Sequence, residues 1–189
     1  MYEGGVRGPC SVIWPGEVAE GTRIDEVVQS SDFYPTLLEM IGLQSKENQP
    51  FDGISFVPAL KGRPLDREAI FTFFPHNPRV PEWLPPAVSV HRGDWKLIRI
   101  FHGGENNEHR WQLFNLKDDI SEKKDLATAQ PERVRELDGL IEQFLISAKA
   151  VVPTRNPGFD PTQYQPELDG KQVTRKPRPR TAVKPVAGW

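Results

Sequence analysis

Apolar positions fall into three patterns along the chain. Gly8 to Trp14 (Gly-Pro-Cys-Ser-Val-Ile-Trp) is a short apolar run stopped by Pro15-Gly16, which predicts a buried strand feeding a turn, with Cys10 a small core residue. Between Ser30 and Gly42, a Ser or Asp cap, Pro35 in the first turn, apolar Leu37, Leu38 and Ile41, and a closing glycine predict a short capped helix. Asp52-Gly53-Ile54-Ser55 is a turn ahead of an apolar segment, Phe56 to Leu60, closed by Lys61-Gly62-Arg63-Pro64.

The second pattern is rich in aromatic and β-branched residues. Ala69 to Phe74, Ala87 to His91, Trp95 to Phe101 and Trp111 to Leu116 predict four strands, separated by Gly, Asp, Asn and Pro. Arg92-Gly93-Asp94 is a compact hairpin connection and Gly103 to Asn107 a looser one, so the sheet is expected to be antiparallel. From Pro131 the period becomes helical: Val134, Leu137, Leu140, Ile141, Phe144, Leu145 and Ala148 share one face, which the four strands are placed to cover. After Val152 the pattern fades into Pro-rich sequence. Lys171 to Trp189 holds six basic residues and no acidic one, interleaved with prolines, and reads as an extended disordered tail.

Composition adds limits. A chain of 189 residues can bury one sizeable core or two small ones, and 19 Pro with 15 Gly predict a loop-rich fold. A net charge of −2 gives no general attraction to nucleic acid or anionic membrane, and no apolar run approaches the roughly 20 residues that span a bilayer. The single cysteine excludes an internal disulfide framework.

No complete active site can be read from these residues. His76, His91, His102 and His109 form no His-x-x-x-His or Glu-x-x-His pair, Glu3-Gly4-Gly5 lacks the rest of a phosphate loop, and no Gly-x-Ser-x-Gly elbow occurs. The strongest local candidate for ligand contact is Phe73-Phe74-Pro75-His76-Asn77-Pro78, where a strand ends in prolines and leaves an imidazole and an amide at a loop mouth.

Six segments in order carry a resemblance: Tyr2-Glu3-Gly4-Gly5-Val6-Arg7, Trp14-Pro15-Gly16, Ser31-Asp32-Phe33-Tyr34-Pro35-Thr36-Leu37-Leu38, Asp52-Gly53-Ile54-Ser55, Arg92-Gly93-Asp94-Trp95-Lys96-Leu97-Ile98 and Leu113-Phe114-Asn115-Leu116. From Tyr2 to about Asp160 the chain resembles the C-terminal part of type I sulfatases of the alkaline phosphatase superfamily. The resemblance implies an α/β, or α+β fragment, architecture in three pieces. Residues 1–68 would be the end of the large catalytic α/β domain, 69–152 a subdomain of a four-stranded antiparallel sheet packed by one helix, and 153–189 a Pro-rich basic extension.

In that family a formylglycine made from Cys/Ser-x-Pro/Ala-x-Arg attacks the sulfate ester, and Ca²⁺ with Lys, His and Arg stabilises the charge. Cys10-Ser11-Val12-Ile13-Trp14 lacks both the Pro/Ala and the Arg, so no nucleophile is carried over and no catalytic or metal-ligating residue is assigned. The family's lysine in Gly-Lys-Gly-x-x-Tyr-Glu-Gly-Gly falls just before this chain. The resemblance implies substrate contact for His76 and Asn77. Glu3 and Arg7 are expected to pair or shape a turn near the pocket, and Arg79, Trp83 and Trp95 to serve as rim or packing residues.

Three functions follow as expectations: the C-terminal portion of a sulfatase acting on sulfated carbohydrate or aryl sulfate, inactive in isolation and derived from an exported (periplasmic or secreted) parent that uses Ca²⁺ and formylglycine; part of a related phosphate or phosphonate ester hydrolase; or a non-catalytic remnant whose basic tail binds polyanions. Residues 1–60 are also expected to be poorly covered compared with 69–150.

Overall fold

The computed structural model describes residues 1–43, 49–76, 85–154 and 157–158. Asn77, Arg79, Trp83 and the basic tail lie outside the described residues.

Four strands, β1 (Ile70–Phe74), β2 (Ala87–Arg92), β3 (Trp95–Ile100) and β4 (Arg110–Asn115), form an antiparallel meander in the order β1-β2-β3-β4. The hairpin between β2 and β3 needs only Gly93 and Asp94, since Arg92 pairs with Trp95; Gly93 takes a φ of +56°, the twist that tight hairpins require. Helix α4 (Pro131–Ser147) lies across one face, where Leu137, Ile141 and Leu145 meet Val88, Val90, Leu97 and Leu113. Phe71 stacks on Phe144 with ring centroids 4.5 Å apart. Of the predicted helix face, only Ala148 falls outside this cluster; it is exposed beyond the last turn.

Ala87, Ile98, Ile100, Phe114 and Leu116 form a second buried cluster on the opposite face, against which Met1 packs. Central strands buried on both sides explain why Ala87–Val90 and Leu97–Ile100 read as nearly continuous apolar runs rather than alternating ones. Arg99 is the exception, pointing toward α4. Its Nε donates to Asp138 Oδ1 at 2.6 Å and its Nη1 to Glu142, while Trp111 Nε1 also donates to Asp138 Oδ1 at 2.8 Å.

Among the described residues of 1–68 there are three short α-helices, α1 (Glu3–Val6), α2 (Phe33–Met40) and α3 (Val57–Leu60), with a 3₁₀ turn at Ser30–Asp32 leading into α2. A buried carboxylate organises this part. Asp32 Oδ2 accepts the Gln29 amide at 2.7 Å, and its Oδ1 accepts the Ile54 amide at 3.0 Å and Arg67 Nη2 at 2.5 Å. Thr36 Oγ1 donates to the Asp32 carbonyl and accepts the Phe56 amide at 3.0 Å. Gly53 packs so closely on this turn that a Cβ would sit 2.3 Å from the Ser31 carbonyl oxygen, which excludes any larger residue there. The Ser-Asp-Phe-Tyr-Pro-Thr and Asp-Gly-Ile-Ser segments are therefore two halves of one hydrogen-bonded knot.

Three expectations fail here. Gly8 to Trp14 is not a strand, and Cys10 is exposed rather than core. A strand requires a sheet edge, and among the described residues the only sheet is β1–β4; instead Val12 and Trp14 turn toward Phe56, Ala59 and Leu60 while Ile13 is 90% exposed. Asp32 does not cap α2, because its carboxylate is turned back to Gln29 and across to Ile54 and Arg67. On α2 the buried residue is Thr36, and Leu37 and Ile41 are 53% and 66% exposed. The helix does end as predicted, at Gly42 with φ +70°, where the Leu43 amide reaches the Leu38 carbonyl.

Candidate functional site

Besides the Arg99 and Asp32 clusters, the fold brings a third group of charged residues together around the start of the chain. Tyr2-Glu3-Gly4-Gly5 makes one helical turn, closed by the Gly5 amide on the Tyr2 carbonyl and the Arg7 amide on the Glu3 carbonyl. That turn sits on the face of the sheet opposite α4. Tyr2 packs edge-on to Phe114 and its hydroxyl donates to Gln112 Oε1 at 2.6 Å.

Beneath it, Lys96 projects from β3 into a site with side-chain exposure of 3%. Its ammonium has three oxygen neighbours: Glu3 Oε1 at 2.8 Å, Glu122 Oε1 at 2.9 Å and the Met1 carbonyl at 2.5 Å. Glu122 also accepts the Glu3 amide through Oε2 at 2.6 Å, and Arg7 Nε donates to Glu3 Oε2 at 2.6 Å. Glu122 holds a left-handed φ of 52°, a conformation that costs a non-glycine residue energy and that its bond from the Glu3 amide and its ion pair with Lys96 offset. Burial raises the pKa of Glu3, but the hydrogen bonds and charges of Lys96 and Arg7 outweigh it, so its carboxyl titrates below the ordinary value. Burial lowers the pKa of His91, which pairs across the sheet with Lys96; the nearby Lys96 and Arg7 charges add to that, against Glu3.

The ammonium donates to Glu3 Oε1 and the Met1 carbonyl and pairs in charge with Glu122, whose Oε1 is buried without a hydrogen bond, so chain groups surround Lys96. The cluster is a tie between chain and sheet: it joins residues 93 to 119 positions apart. Tyr2, Gly4, Ile120, Ser121 and Glu122 border an open depression of about 590 Å³ beside it.

His76 lies beyond the end of β1, exposed, with its ring edge-on to Phe74 at 5.6 Å. Asn77 is outside the described residues, so the pair proposed from sequence is seen only in its first member. Trp95 is half-buried, with the Arg133 guanidinium 5.2 Å from its ring centroid. Among the described residues no group of three or more His, Cys, Asp or Glu is arranged to hold a metal ion, and no helix is long and apolar enough to cross a membrane. Lys96 and Glu122 were not singled out from sequence as partners of Glu3. A lysine inside the otherwise apolar Trp-Lys-Leu-Ile run was the available signal, since a charge in a central strand must find a counter-charge.

Comparison with known proteins gives this arrangement a context. Residues 1–147 match the family model described as N-sulphoglucosamine sulphohydrolase, C-terminal. The uncharacterized sulfatase YdeN of Escherichia coli K12 is 26% identical over 178 residues, which cover 78% of this chain and 30% of that protein. Arylsulfatase K of Xenopus laevis is 30% identical over 158 residues, covering 73% and 26%. Among solved structures, Ps i-CgsB superposes with a TM-score of 0.56 at 27% identity, over 69% of this chain and 27% of that one. BT4656, solved in complex with its substrate D-glucosamine-2-N,6-O-disulfate, superposes with a TM-score of 0.51 at 23% identity, over 65% of this chain and 24% of that one, a likeness of fold. The chain spans less than a third of the length of each of these proteins.

Proposed function

Since this chain belongs to the N-sulphoglucosamine sulphohydrolase C-terminal family, we propose that it works as the C-terminal portion of a sulfatase that hydrolyses sulfate esters of carbohydrates or aryl groups. The observation that carries this reading is the family match over residues 1–147, the stretch that contains both the Tyr2–Val6 turn and the whole sheet with α4. In this reading residues 1–68 complete a catalytic α/β domain and 69–152 form the subdomain packed beside it. The exposed apolar side chains of Ile13, Tyr34, Leu37 and Ile41 fit that division, because they present a surface for the rest of such a domain to cover.

The chain's own contribution would be to shape and support. Lys96, Glu3 and Glu122 lock the Tyr-Glu-Gly-Gly turn onto the sheet, and His76 with Asn77 would reach the substrate from the loop after β1. A sulfatase of this class needs a formylglycine nucleophile and Ca²⁺. The described residues do not fit either one: Cys10 lacks the surrounding motif, and no donor set for a cation is assembled. No step of sulfate transfer is therefore assigned to these residues, and the isolated chain should be inactive, because it lacks the formylglycine motif and its described residues assemble no cation site.

The test is sulfate release from a panel of aryl sulfates and sulfated monosaccharides, by the isolated chain and by the chain joined to the coding sequence that precedes it. Activity only in the joined form supports the reading. Preference of the joined form for a phosphate or phosphonate ester would replace it with the related hydrolase.

A further inference from the structure

The connection between β3 and β4 contains two histidines whose geometry is unequal. His102 follows β3 in a left-handed conformation, φ +54°. Its backbone N–H donates to His109 Nδ1 at 3.2 Å, and its own ring Nε2 contacts the Pro153 carbonyl at 3.1 Å. The two rings are 5.1 Å apart, and His109 is also held edge-on to Phe101 and Trp111. The chain thus doubles back after α4, with the Ala150 amide on the Leu145 carbonyl, to place Pro153 over the loop.

A carbonyl oxygen only accepts, so His102 must meet Pro153 with Nε2–H, a bond that survives protonation of His102. A backbone N–H only donates, so His109 must present a bare Nδ1. Protonation there sets two N–H groups against each other and removes the bond that holds His102 in its strained backbone.

We propose that His102 and His109 form a pH-sensitive clasp that holds Ala150–Pro153 against the β3–β4 connection at neutral pH and releases it in acid. The charged and titratable groups facing His109 are Arg99 from β3, His102 from the connection, and Asp138 and Glu142 from α4. Its neighbours Glu108 and Arg110 are exposed, and Ala150–Pro153 contributes no charge. Burial, Arg99 and His102 together lower the His109 pKa against the two carboxylates. A lowered histidine pKa means that the closed form binds fewer protons than the open one. The clasp is therefore complete above an imidazole's ordinary value of about 6.5 and is lost as pH falls through the lowered one.

The experiment uses the full 189-residue chain. Imidazole ¹⁵N spectra give the tautomer and titration of His109, and amide exchange corrected for intrinsic rate gives protection at His102 and Ala150, whose amides donate to His109 Nδ1 and the Leu145 carbonyl, at pH 8 and pH 5. His109→Asn is the informative variant, because its Oδ1 can replace Nδ1 as acceptor without titrating. The wild type should show an Nε2–H tautomer at His109, and protection at both amides should fall about tenfold for each unit by which closure lowers its pKa. In H109N the protection should be flat with pH. Wild-type protection that is flat with pH, or an H109N profile that falls like the wild type, overturns the clasp. An Nδ1–H tautomer at His109 overturns it also, and that result decides even if the variant does not fold.

Discussion

Replacing Lys96 by methionine tests the tie between the Tyr2–Val6 turn and the sheet. The ammonium is 3% exposed and faces Glu3 at 10% and Glu122 at 4%, so its loss leaves two carboxylates with little access to water. Breaking a buried pair from one side costs about 3–5 kcal/mol. Glu3 keeps Arg7 at 2.6 Å, and Glu122 keeps only the Glu3 amide, so the expected loss lies at the lower end, about 3 kcal/mol. A triple variant, Lys96→Met with Glu3→Gln and Glu122→Gln, removes the unpaired charges as well and should recover most of it, because neutral replacement of a buried ion cluster is often close to harmless. Urea unfolding followed by far-UV circular dichroism reads both as midpoint shifts at constant slope. Added salt should change neither result much, since buried charges are weakly screened. A K96M cost below about 1 kcal/mol, or a triple variant no better than K96M, would refute the argument that the buried carboxylates set the penalty.

Further outcomes follow from the same geometry. Gly53→Ala should destabilise by about 3 kcal/mol or split the knot around Asp32, because its Cβ meets the Ser31 carbonyl at 2.3 Å and backbone must move; an unchanged melting midpoint would count against it. Stability should fall in acid through Glu3. Its carboxyl is held below the ordinary value by Lys96 and Arg7 against burial, so its contribution is complete above about pH 4.5 and lost as pH drops through the lowered value, a loss that Glu3→Gln removes from the pH profile. Leu37→Asn and Ile41→Asn should leave stability within about 0.5 kcal/mol, since both side chains are largely exposed, while reducing self-association seen by light scattering.

What could be read from sequence followed the strength of periodicity. The strands of the meander and α4 were legible because each buries a face within this chain: Val88, Val90, Leu97 and Leu113 on one side, Leu137, Ile141 and Leu145 on the other. Leu37, Ile41 and the Ser-Val-Ile run misled for the converse reason. Their pattern demands a partner surface, and the described residues supply little of one: Val12 meets Phe56, Ala59 and Leu60, but Ile13, Leu37 and Ile41 face outward and Gly8–Trp14 finds no edge to pair with. The polar contacts were the least legible. Asp32 looked like a cap of α2, but its carboxylate serves Gln29 just before it and Ile54 and Arg67, 22 and 35 positions away, which no local pattern connects. Lys96 lies in a strand-forming segment that gives no sign of its partners; only the fold shows that Glu3 and Glu122 arrive beneath the same turn.

Sulfate release from an aryl sulfate, compared between the isolated chain and the same chain joined to the polypeptide encoded before it, measures the central claim most directly. The account predicts turnover by the joined form and none by the isolated chain above a heat-treated control. Turnover by the isolated chain would contradict it, because the nucleophile and cation would then have to be among these residues.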